Sequence, residues 1–191
     1  MLNIAHRGAS GSFPENTLCS FRSALAAAAD MCELDVRLTR DGELVVCHDA
    51  DVDRTTEGHG AVAWMSRNEL KRLDAGVKFD SRFAGERIPT LAEVFEVTAG
   101  RCGLNIELKA AGTEKPVCEI VRARGAIGTT LISSFEWQQL GRIRLLAPEI
   151  RVGLLASGRA RQLFAAAVEM GGVRDQSTLR PGQRRVMSCR T

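Results

Sequence analysis

Short apolar runs alternate with stretches of helical periodicity along most of this chain, a pattern expected of repeated strand-helix units around a parallel sheet. Residues 2–6 read as a first strand. Leu18, Phe21, Leu25 and Ala28 then form one apolar helical face, with Asn16 or Thr17 as its cap. A second strand spans Met31 to Leu38, the turn Arg40-Asp41-Gly42 follows, and Leu44-Val45-Val46-Cys47 makes another extended piece ending at His48. The alternation resumes at the capping box Thr90-Leu91-Ala92-Glu93, which opens a helix with Leu91, Val94 and Phe95 facing inward. Strand 103–109, helix 116–124, strand 129–134, a helix from Glu136 to Ala147 with Trp137, Leu140 and Ile143 on one face, strand 151–155 and helix 160–169 complete the series.

Two segments depart from this rhythm. Residues 50–88 are rich in glycine and charge, with one short amphipathic stretch behind the capping box Ser66 to Glu69, and they read as an inserted subdomain. From Arg174 the periodicity stops, and residues 174–191 carry five arginines against one aspartate. The expected organisation is therefore one α/β domain over 1–173 and an Arg-rich tail that is disordered or foreign to the fold. A frameshift near residue 173 would produce such a switch.

The tail also accounts for the charge. The chain of 191 residues carries a net +3, yet residues 1–173 sum to −1, tyrosine is absent and no basic stripe is interleaved with aromatics, so nucleic-acid binding has little support. Apolar runs such as Ala24 to Ala29 fall far short of the roughly 18 residues that cross a bilayer, and residues 1–7 have no signal-peptide core. No aromatic cluster or long apolar surface helix supports membrane docking. The six cysteines match no zinc or redox spacing and read as reduced core residues in a cytoplasmic protein.

Charge at the ends of buried strands calls for an explanation. His6-Arg7 closes the first strand, Glu33 and Asp35 lie within the second, and Glu107 and Lys109 lie within the strand at 103–109. Side chains two apart share a face, so Glu33 pairs with Asp35, and Asn105, Glu107 and Lys109 lie on one side. Both sets can converge on one cavity at the C-terminal strand ends, where an α/β barrel carries its active site. Three carboxylates on one cavity repel one another unless a cation neutralises them, and an all-oxygen set suits Mg²⁺ or Ca²⁺. His6 and His48, at the ends of different strands, suit a proton donor and acceptor on opposite sides of a reacting bond. With Arg7 and Lys109 as fixed positive charges, these groups describe a site for an anionic phosphate ester. His59, in a glycine-rich loop, reads as solvated, and Trp64, Trp137 and the phenylalanines read as core.

The motifs His6-Arg7-Gly8, Pro14-Glu15-Asn16-Thr17, Glu33-Leu34-Asp35-Val36, Asp41-Gly42, His48-Asp49, Asp53-Arg54-Thr55-Thr56 and Asn105-Ile106-Glu107-Leu108-Lys109 stand in an order that resembles the glycerophosphodiester phosphodiesterases. The resemblance covers about residues 3–155. It implies a TIM (β/α)₈ barrel with a subdomain inserted after the second strand. It also implies metal ligation by Glu33, Asp35 and Glu107, acid/base catalysis by His6 and His48, and phosphate contact through Arg7 and Lys109. The implied reaction cleaves a small glycerophosphodiester to glycerol 3-phosphate and an alcohol, either directly or through a cyclic phosphate. Glu15 and Asn16 are expected to support the first-strand site.

A full barrel takes about 250 residues, so this chain is expected to hold about five to six of the eight strands. The readings left open beside hydrolysis are a truncated, inactive fragment and a phospholipid-directed phosphodiesterase of the same fold. The substrate alcohol, the metal and the oligomeric state are not specified by the residues.

Overall fold

The second strand organises the molecule. In the computed structural model, which describes residues 2–157, β2 (Met31–Leu38) is bordered by β1 (Ile4–His6) and β3 (Leu44–Val46) on one edge and by β4 (Gly103–Leu108) on the other. The parallel order runs β1-β2-β4-β5-β6, with β5 at Thr130–Ser134 and β6 at Arg151–Leu154, while β3 pairs antiparallel to β2. Parallel strands added in chain order, with helices between them, are the winding of a (β/α) barrel. Residues 2–154 form one compact unit.

The strands are apolar on one face and polar on the other. Cys32, Leu34 and Val36, Leu104, Ile106 and Leu108, and Ile132 pack in one core with residues from the helices: Phe21 and Ala24 of α1 (Leu18–Ala26), and Leu91, Val94 and Phe95 of α3 (Leu91–Thr98). Val117, Cys118 and Val121 of α4 (Glu114–Ala123) and Ile143 of α5 (Trp137–Leu146) join it. The alternate strand residues Glu33, Asp35, Asn105, Glu107 and Ser133 are buried as well, on the opposite face. Pleat alternation thus separates a hydrocarbon face from a buried polar one.

Local chemistry sets the element ends. Thr17 accepts from Ser20 N at the start of α1, and both expected capping boxes form, Ser66 with Glu69 before the short α2 (Arg67–Leu70) and Thr90 with Glu93 before α3. α1 stops at Ala26 because Ala28 takes a left-handed backbone (φ 54°), so Ala28 is exposed and Ala29 enters the core. α4 starts at Glu114 rather than at 116. Pro116 fits its first turn because the first helical acceptor bond belongs to Val117 N, donating to Thr113 O. The expected helix 160–169 and the Arg-rich tail lie outside the described residues.

Residues 50–88 build a small core of their own. Val52, Val62, Leu70, Ala75 and Ile88 pack with Val45 and Cys47, which point away from the main core. β3 is therefore shared: Leu44 and Val46 face the helices, while Val45 and Cys47 face the insertion.

The aromatic expectations need correction. Trp64 is 78% exposed and Trp137 68% exposed, and Phe79 and Phe135 are also exposed, so among the described residues only Phe21 and Phe95 of the aromatics are buried in the core. Trp137 stands at the first turn of α5, where Gln139, Leu140 and Ile143 take the buried positions instead. Phe13, Phe79 and Phe83 do cluster, with ring centroids 5.3 Å (Phe13–Phe83) and 5.7 Å (Phe79–Phe83) apart, although Phe13 is remote in sequence from the other two. No helix among the described residues is long and apolar enough to cross a membrane. Five cysteines are free thiols, three of them buried; Cys189 lies outside the described residues.

These packing differences separate two substitutions. Leu34→Ala, at a fully buried position, is expected to cost about 2–5 kcal/mol of unfolding free energy. Trp64→Ala is expected to stay within about 0.5 kcal/mol of the parent, and urea denaturation measures both.

Candidate active site

Strand register brings the acidic residues together. His6 lies opposite Glu33, and Glu33 opposite Asn105; two residues further along, Asp35 lies opposite Glu107, and Glu107 opposite Ser133. One carboxylate oxygen each from Glu33, Asp35 and Glu107 lies within 4.8 Å of the other two. All three residues are buried. Burial and the neighbouring Asp35 carboxylate push the Glu33 carboxyl up to about 8.

Two cations partly offset this charge. The Arg7 guanidinium Nε lies 3.3 Å from Asp35 Oδ2, and Lys109 Nζ lies 3.4 Å from Asp35 Oδ1 and 2.5 Å from Glu107 Oε1. Glu33 Oε1 is buried with no hydrogen-bond partner, and Asp35 Oδ1 and Glu107 Oε1 are buried with only the Lys109 ammonium beside them. Buried oxygens in this state are costly, and a close set of anionic oxygens with no sulfur or nitrogen donor fits a hard divalent cation.

The first loop is built around the same carboxylates. Arg7 takes a left-handed backbone (φ 56°), its N–H donates to Glu33 Oε2 at 3.0 Å, and Gly8 follows at φ 78°. Any Cβ at Gly8 would meet Ser20 Oγ at 2.4 Å, so the turn requires glycine. Asn16, also left-handed at φ 58°, donates from Nδ2 to Asp35 Oδ2 at 2.9 Å. Strained conformations of this kind persist where surrounding contacts over-determine them.

The histidines arrive from opposite directions. β1 and β3 occupy the same edge of β2, β1 running up to His6 opposite Glu33 and β3 running down from Leu38 to Val36. Cys47 N then donates to Asp35 O at 2.9 Å, which brings His48 to the level of the acidic pair. His6 Nε2 lies 3.8 Å from Glu33 Oε2; burial, followed by the charge on Arg7, holds its pKa below the usual imidazole range. His48 Nδ1 lies 2.6 Å from Asp49 Oδ1. A niche of about 10 Å³, room for one water at most, lies beside His48 and is lined by Glu15, Asn16, Cys47, Thr55 and Ile88. His59 is exposed and paired with Asp53.

Some supporting groups had no role in the sequence reading. Arg37 of β2 donates to His48 O from Nε and Nη2 (3.1 and 2.8 Å) and to Lys109 O from Nη1 (3.1 Å), tying two loop backbones together. Asp49 and Arg54 sit in the quoted motifs, yet only the fold reveals their contacts. The half-exposed Phe135 follows β5, its ring centroid 5.8 Å from Lys109 Nζ.

A parallel (β/α) sheet with an acidic triad on its inner face, imidazoles on one edge and cations beside them defines a class of TIM-barrel proteins. The chain belongs to the glycerophosphoryl diester phosphodiesterase family, which it matches over residues 6–176. It is 46% identical over 160 residues to a glycerophosphodiester phosphodiesterase of Caldanaerobacter subterraneus, covering 81% of this chain and 66% of that protein. A glycerophosphodiester phosphodiesterase structure from Agrobacterium tumefaciens superposes with a TM-score of 0.76 at 42% identity, covering 80% of this chain and 66% of that one. An Oleispira antarctica phosphodiesterase, solved with the product sn-glycerol-3-phosphate, superposes with a TM-score of 0.80 at 35% identity, covering 90% and 72%. The chain spans just under two thirds of the length of the first of these relatives.

Asp49 provides a pH test of this region. The Arg54 hydrogen bond holds its carboxyl down at about 2, against an ordinary 3.8. A depressed carboxylate contributes stability above its unfolded pKa and loses it as pH falls through the folded value. Asp49→Asn is therefore expected to lower the melting temperature at pH 7 and to converge with the parent near pH 2, as read from thermal melts across that range.

Proposed function

We propose that the chain hydrolyses small glycerophosphodiesters to glycerol 3-phosphate and an alcohol, with a divalent cation such as Mg²⁺ or Ca²⁺ held by Glu33, Asp35 and Glu107. The observation that carries this reading is the set of three buried carboxylates within 4.8 Å of one another, more anionic oxygen than the two neighbouring cations satisfy, with imidazoles beside it. The family and the product bound to the Oleispira relative supply the substrate class.

When bound, the cation polarises the phosphoryl oxygens and offsets the charge that develops on them. Arg7 and Lys109 hold the phosphate from either side of Asp35, where their charges already sit. His6, whose neutral form is favoured by burial and by Arg7, takes the proton from the attacking hydroxyl. His48 gives a proton to the departing alkoxide as the phosphorus–oxygen bond breaks, its ring oriented by the Asp49 contact at Nδ1. If the adjacent glycerol hydroxyl attacks first, water opens the resulting cyclic phosphate with the two histidines exchanging roles. A cytoplasmic location is part of the reading, supported by the five free thiols.

His6→Ala and His48→Ala are each expected to lower turnover of glycerophosphocholine by about 10²- to 10⁴-fold while far-UV circular dichroism and the melting temperature stay close to the parent's. Chelation with EDTA is expected to abolish release of glycerol 3-phosphate, and Mg²⁺ or Ca²⁺ to restore it. Full turnover in chelator would overturn the metal assignment, and unchanged turnover in both histidine variants would overturn the site.

A further inference from the structure

Glu15 accepts from Arg7 Nη1 at 3.1 Å, which ties the loop after β1 to the phosphate-facing cation. On its other side Glu15 meets Arg54 in a fork, Nη1 to Oε2 at 2.9 Å and Nη2 to Oε1 at 2.7 Å. The remaining edge of the same guanidinium donates from Nε to Asp49 Oδ2 at 2.6 Å, and the other oxygen of Asp49 lies 2.6 Å from His48 Nδ1. Arg54 stands in the inserted segment, 39 positions from Glu15 in sequence, so a group outside the barrel strands joins elements from both ends of the site.

We propose that Arg54 is a positioning residue that couples His48 to Arg7 through Asp49 and Glu15; this rests on the function proposed above. Isolated exposed ion pairs contribute little, and Arg54 is itself about half exposed. Its geometry sets it apart from such a pair. Three of its nitrogens each meet a carboxylate oxygen, and only a planar fork presents donors on two edges at once. With Glu15 and Asp49 both turned to it, its charge is compensated within the network, leaving Arg7 and Lys109 as the cations for phosphate. Asp49, held on one oxygen, presents the other to His48 Nδ1. A proton on Nδ1 then leaves Nε2 as the nitrogen that faces the reaction.

The consequence is a division of labour between side chains. Arg7, Lys109, His6 and His48 touch the substrate, while Arg54 sets where His48 and Arg7 stand. Loss of Arg54 is expected to act on kcat more than on KM, because Arg7 keeps its contacts to Asp35 and Glu15 and Lys109 its own, while the imidazole loses its fixed tautomer.

The test combines kinetics with spectroscopy on the full chain. Arg54→Ala is expected to lower kcat by about 10- to 100-fold with KM changed less than about threefold, and Arg54→Lys to recover little because an ammonium cannot fork. Arg54→Ala combined with Asp49→Asn is expected to lose no more than the worse single variant, since both break one network. Long-range ¹H–¹⁵N spectra of histidine-labelled protein, recorded at alkaline pH where an imidazole carries a single proton, are expected to place the His48 proton on Nδ1 in the parent and to show mixed tautomers in Arg54→Ala. Should that variant fail to fold, Arg54→Gln carries the same measurements. Parent-like kcat, additive losses in the double variant, or unchanged His48 signals would each overturn the proposal. A tautomer shift in protein that is inactive on every glycerophosphodiester would instead sustain the coupling and overturn the proposed function.

Discussion

Mutual repulsion among Glu33, Asp35 and Glu107 is the constraint around which the site is arranged. Burying three like charges within a few ångströms of each other is unfavourable enough to require compensation from whatever surrounds them. The chain supplies part of it through Arg7 and Lys109, through the Arg7 backbone N–H on Glu33, and through Asn16 on Asp35. The strained backbone at Arg7 and Asn16 follows from this demand, since both residues must turn donors toward carboxylates on a neighbouring strand. The oxygens that still lack hydrogen bonds are those the proposed cation would meet.

The scaffold meets that demand through pleat and register. One face of β2, β4 and β5 carries the hydrocarbon that packs against α1, α3, α4 and α5, which frees the other face to carry polar groups without loss of the core. The short β3 does a second job. By sharing an edge of β2 with β1, it delivers His48 toward the acidic pair from the direction opposite to His6, and its alternate residues anchor the insertion's own small core. The insertion thus belongs to the site, because its Arg54 reaches back to both Asp49 and Glu15.

Much of this was legible in the residues. The capping boxes at Ser66 and Thr90, the β2 span, the core positions of α3 and the grouping of acids on one strand face all follow from spacing and local chemistry, which act over a few residues. Other features were not legible. Trp64 and Trp137 look like core residues by type, yet whether a large side chain is buried depends on which elements pack over it. Phe13 is far in sequence from Phe79 and Phe83 and joins them only when the insertion folds against the first loop. Arg37 reads as an ordinary polar strand residue until His48 O and Lys109 O are placed within its reach.

The amino-acid order by itself determined the strand-helix rhythm, the helix caps, the break at 50–88 and the identity of the groups that meet at the strand ends. Those depend on periodicity and on hydrogen bonds between near neighbours, and so are written locally. Tertiary structure alone decided that three carboxylates would stand close enough to share an ion, that two histidines would approach them from opposing directions, and that Arg54 would link His48 to Arg7 through Asp49 and Glu15. Those arrangements depend on register between strands distant along the chain, and a shift of one residue in that pairing would turn every one of those side chains to the other face.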